Sequence, residues 1–117
     1  MKIKKIVVEI KPLKETLKEF AEIYGKLKKG HKIASKRALA FSDVDTFRQF
    51  FSQKRMELLK LIKHESPGSI YKLAQLSDRE YKNVHDDVAL LEKLGLVTKK
   101  EHNLKVEFDK LLVEVEV

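Results

Sequence analysis

The apolar positions of the chain change period several times, and each change marks a predicted element. Lys2 to Ile10 is dense in Ile and Val and stops before Pro12, which predicts a strand, and its lysines suit a sheet edge. Leu13, Leu17, Phe20, Tyr24 and Leu27 then recur at four, three, four and three. That is one apolar seam on a helix from about 13 to 29. The seam is too short for a free-standing coiled coil, so it packs either on its own domain or on a second copy of the chain. Gly30 ends the helix, and 31–37 is a basic connector, read either as a phosphate contact or as a solvated linker.

Ala38 to Phe41 predicts a brief strand, and Ser42 caps a short helix through Phe51 with Asp43 and Asp45 in its first turn. Phe47, Phe50 and Phe51 belong to a core, since nothing basic alternates with them as in single-strand binders. Ser52 caps the next helix, to about His64, whose Met56, Leu59 and Ile62 form a buried stripe joined by Leu58 and Leu61. Ser66, Pro67 and Gly68 make a turn, and Ser69 caps a short helix from Ile70 to Leu76. Ala74 is small enough to let a following helix approach closely.

Ser77 to Val97 carries the sharpest pattern. Val84, Val88 and Leu91 line one helical face with Tyr81 at its edge, while Arg79, Lys82, Asp86 and Lys93 come out opposite, flanked by Asn83 and His85. Ser77 or Asp78 serves as N-cap, with Glu80 a capping-box partner to Ser77, and Gly95 marks the stop. Beyond it, Leu96 to Lys100 and Leu104 to Phe108 predict a hairpin turning at Glu101, His102 and Asn103. Val113, Val115 and Val117 alternate with Glu114 and Glu116 in a final strand, which pairs with the N-terminal strand or across a dimer.

Charge changes the picture less by its size than by its placement. The net charge is +7, yet residues 1–37 hold 12 Lys and Arg against 4 Glu while residues 38–117 hold 13 against 14. A basic balance points to a polyanion, with the attraction coming in part from the N-terminal arm or from dimerisation; the alternative is that the arm's lysines form only a solvated charged surface. With no Cys there is no disulfide, thiol catalysis or thiolate metal site, which fits a cytoplasmic setting. Glu9, Lys11 and Pro12 break the opening apolar run before it reaches signal-peptide length, and nothing is long enough to span a membrane. His85, Asp86 and Asp87 are the one tempting acid-base cluster, but neighbours on a helix diverge by about a hundred degrees and do not converge on one ion. With no phosphate loop or nucleophile elbow either, we expect no enzyme, no metal and no cofactor.

A helix running into LEKLGLV (91–97) and then a strand resembles the winged helix-turn-helix regulators of the broad MarR and ArsR type over about Ser52 to Glu107. More narrowly, PGSIYKLA (67–74) followed by YKNVHDDV (81–88) is similar to small archaeal and bacterial DNA-binding regulators, some of them antitoxin-like. The resemblance implies an α+β protein. Its winged helix-turn-helix core, a tri-helical bundle with a β-hairpin wing, occupies 42–117 with the C-terminal strand, and 1–41 is a strand-helix arm. It implies a sequence-specific regulator of double-stranded DNA, a homodimeric repressor of transcription acting on its own operon. Lys82, Asn83 and His85 would read base edges, Arg79 and Tyr81 would anchor phosphates, and Lys99, Lys100 and Lys105 would do so from the wing. Leu13, Leu17, Phe20, Tyr24 and Leu27 would make the dimer contact. Asp86 and Asp87 depart from this, since acids beside a reading face repel phosphate. The alternative is an interaction module that binds a partner toxin through the arm.

Overall fold

The structure is a computed structural model that describes residues 4–11 and 38–117. The predicted seam at Leu13, Leu17, Phe20, Tyr24 and Leu27, and the basic connector after it, lie outside the described residues. The fold is α+β, with the described helices and strands divided between two units.

Phe51–Asp109, with Lys4, forms the first unit. Its helices are α2 (Gln53–Glu65), α3 (Ile70–Ser77) and α4 (Tyr81–Lys93); strands β3 (Thr98–Lys100) and β4 (Asn103–Lys105) follow as an antiparallel hairpin. Helix α2 starts where expected, because the Ser52 hydroxyl accepts the Arg55 N–H at 3.3 Å; Ser69 caps α3 in the same way, accepting from Lys72 at 3.0 Å. The core matches the expectation in part: Leu58, Leu59, Ile62, Val84, Val88 and Leu91 are buried together with Phe51, Leu73, Ala74, Leu96, Val97, Leu104, Val106 and Phe108, whereas Met56 and Leu61 of the predicted stripe, and Phe47 and Phe50 of the predicted aromatic core, are only half-buried. Strand β4 is tied to the turn between α2 and α3 by the Leu104 N–H, which donates to the Pro67 carbonyl at 2.9 Å.

The second unit holds β1 (Lys5–Ile10), β2 (Ala38–Phe41), α1 (Val44–Phe50) and β5 (Lys110–Val115). Its strands lie in the order β2, β1, β5 and both pairings are parallel. So β5 pairs with the N-terminal strand, one of the two arrangements expected, and it groups with β1 and β2 rather than with the helices. The expectation of an edge position for β1 is corrected, since it is the middle strand. Its lysines precede or open the strand, while Ile6, Val8 and Ile10 alternate inward and are buried. Lys11 is buried just past its end, its ammonium 2.8 Å from the Glu9 carboxylate.

Two caps differ from the sequence reading. Helix α1 is capped by Asp43, whose carboxylate accepts the Thr46 N–H at 2.7 Å, while Ser42 donates to Asp43 instead. That N–H holds the Asp43 carboxyl below the usual range. Ser77 and Asp78 do not start α4; they finish α3. The Ser77 hydroxyl donates to the Ala74 carbonyl, and Asp78 sits at φ 54° and ψ 46°. The Asp78 N–H then reaches Gln75 and the Arg79 N–H reaches Ala74, the paired bonds of a Schellman ending. Gly95, at φ 75°, closes α4 by the same device, with Gly95 bonded to Glu92 and Leu96 to Leu91.

Candidate nucleic-acid interface

Helix α4 follows α3 after only Asp78, Arg79 and Glu80. Val84, Val88 and Leu91 are fully buried, so the helix is pinned along one stripe and the opposite face is turned out. Lys82, Asn83, His85 and Asp86 are all exposed, as the spacing predicts. Tyr81 is 51% exposed rather than tucked against the stripe, and its ring lies 5.9 Å from that of His85 one turn on, inclined by 32°. Its N-cap, Glu80, makes no side-chain cap bond, which leaves the first-turn N–H groups of α4 for an outside acceptor.

Asp87 behaves otherwise. It flanks the buried stripe and its side chain is 13% exposed, gripped by Arg55 Nε at 3.0 Å on one oxygen and by Arg79 Nη2 at 2.8 Å on the other. The carboxylate thus ties α2, the inter-helix turn and α4 together, and its charge is offset by two guanidinium groups. The expectation that Arg79 points outward to a phosphate is corrected: the Asp87 carboxylate holds its guanidinium inward, and its Nη1 is buried without a partner. Of Asp86 and Asp87, only Asp86 remains in solvent, 3.6 Å from His85 Nδ1.

The predicted wing lysines separate as well. Glu101 and His102 form a two-residue turn with φ of 53° and 71°, the type I′ geometry, so the hairpin is short and Val106 to Phe108 leave the ladder. Lys99 is exposed. Lys100 is exposed too, with its ammonium 3.7 Å from Glu107, which also accepts the Thr98 hydroxyl. Lys105 is half-buried and donates to Ser66 Oγ at 3.2 Å, which turns it toward the body of the unit rather than toward a ligand.

A shallow groove of about 370 Å³ opens at the start of α4, lined by Tyr71, Ala74, Gln75, Asp78, Arg79, Glu80 and Tyr81. Tyr71 and Gln75, both exposed on α3, are members that the sequence reading passed over. The cue was there in the four-residue spacing from Tyr71 to Gln75, opposite the buried Leu73 and Ala74 stripe.

No group of three or more His, Asp or Glu among the described residues is placed to hold a metal ion, and no described helix is long and apolar enough to cross a membrane. No curated protein and no solved structure matches the chain. Residues 50–113, more than half of the chain and the whole of the helical part just described, match the family HVO_A0114, and the chain belongs to that family.

Proposed function

We propose that the chain is a sequence-specific double-stranded DNA-binding regulator of transcription, a homodimeric repressor whose first unit works as a winged helix-turn-helix. The observation that carries this reading is the exposed side of α4: an ammonium, an amide and an imidazole on Lys82, Asn83 and His85, on a helix fixed from behind by Val84, Val88 and Leu91. Such groups at the start of a helix match the donors and acceptors on base edges in a major groove. Tyr81, Tyr71 and Gln75, with the uncapped N–H groups of α4, take phosphates beside them. The internal pairing of Asp87 supports the reading, because it takes one of two repelling charges out of the face. Lys99 and Lys100 on the hairpin supply further phosphate contacts.

The test is a low-salt shift assay on the DNA upstream of the chain's own reading frame, followed by selection from random duplexes. Asn83→Ala is expected to lose about 1 to 3 kcal/mol of discrimination at one base pair and little elsewhere. Selected sequences that are the same for the variant and the parent would remove Asn83 from base reading, and no selection at all would remove the regulator.

A further inference from the structure

Among the described residues β5 is an outer strand of its sheet, and it is poorly covered: Leu112 is 40% exposed, Val113 44% and Val115 52%. The register sets Leu111, Val113 and Val115 abreast of Ile6, Val8 and Ile10. Residues abreast in a ladder face the same side. The apolar face that is buried on β1 therefore continues onto β5 and lies open there. An open apolar edge is a template for another strand.

We propose that β5 pairs antiparallel with β5 of a second copy, about a two-fold axis at Leu112, so that two sheets become one. The register follows from the strand itself. The Glu116 N–H donates to the Ile10 carbonyl at 3.1 Å, so Glu114 and Leu112, two and four residues back, also aim their backbone groups at β1. Leu111 and Val113 aim theirs outward. An axis at Leu112 brings Leu111 opposite Val113 of the second copy, outward groups against outward groups, which is the condition for ladder bonds. It also brings Lys110 opposite Glu114 of the second copy, twice by symmetry, and Leu112 opposite itself. Shifting the axis to Val113 sets Leu112 against Glu114, and shifting it to Glu114 sets two carboxylates together. The charges and the apolar residues thus agree on one register.

The experiment is sedimentation equilibrium of the full chain without nucleic acid, so that it stands apart from the DNA-binding reading. The parent is expected to be a dimer. Val113→Pro removes an outward N–H and leaves the bonds to β1 in place, and is expected to give a monomer with an unchanged circular dichroism spectrum. Glu114→Lys sets like charges opposite one another and weakens the dimer by roughly tenfold, and Lys110→Glu added to it restores the parent value. Should the proline variant fail to fold, the charge exchange decides alone. A parent that stays monomeric at a concentration on the order of 100 μM overturns the proposal and leaves the edge to a protein of another sequence. A dimer indifferent to the charge exchange overturns it as well, since the contact then lies elsewhere.

Discussion

A carboxylate beside an outward helix face repels phosphate unless something neutralises it, and Asp87 has two guanidinium groups to do so. Arg55 and Arg79 are brought together on one carboxylate, and Asp87 offsets the repulsion between them. Asp87→Ala is therefore expected to destabilise the first unit by about 2 to 4 kcal/mol, somewhat below the cost of breaking a fully buried pair, because all three side chains keep some contact with water. Urea unfolding measures it, and a change under about 0.5 kcal/mol would mean the triad is only a surface pairing. Asp109 is a different case. The Lys63 ammonium at 2.9 Å, and then the Lys4 N–H, hold its carboxyl below the ordinary value of 3.8. Its folded pKa is the lower one, so its contribution is present above the ordinary value and disappears as pH falls through the folded value. Asp109→Asn should consequently melt slightly below the parent at pH 6, and the gap should close on titration well below pH 3.8. A gap that persists in acid would assign the effect to shape rather than charge.

Helices α2, α3 and the end of α4 were legible because their signals are local: Ser52 and Ser69 as caps, Gly95 as the stop, and an apolar stripe of period near four. The start of α4 was not, since Ser77 and Asp78 suit either end of a helix. A short polar side chain caps an N-terminus well, but Asp also tolerates the left-handed region. Here the two Schellman bonds back to α3 win, and Glu80 is left as a poor cap. The hairpin was legible as a hairpin but not in its details, for Glu101 and His102 carry none of the Asn-Gly chemistry that marks a type I′ turn. Its lysines look alike in sequence and differ in place. Lys99→Ala is expected to lower the slope of log affinity against log salt by about one on any duplex, whereas Lys105→Ala, whose ammonium is already held by Ser66, should leave the slope unchanged. Equal effects from both would put the whole hairpin, rather than its exposed face, against the phosphates.

The joining of β5 to β1 could not be read from the chain, because alternation gives a strand its face but not its neighbour. The clamp at its foot, from Lys4 to Asp109, spans 105 residues, and nothing local encodes such a pairing. Charge placement at this scale was legible throughout, and it bears on how a regulator of this kind would hold DNA. Residues 38–117, which include all of α4 and the hairpin, have 13 basic against 14 acidic side chains, so on the proposed reading any base reading there would have to work without net attraction. The excess sits in residues 1–37. If those lysines supply the attraction, replacing Lys26, Lys28, Lys29 and Lys32 together by Gln should weaken binding to every duplex alike. The salt slope should then fall by about 0.9 for each phosphate no longer neutralised, while the selected base sequence stays as in the parent. Shift assays across a salt series read both quantities at once. An unchanged slope would show these lysines to be solvated, and the attraction would then have to come from two copies of the chain acting on one duplex.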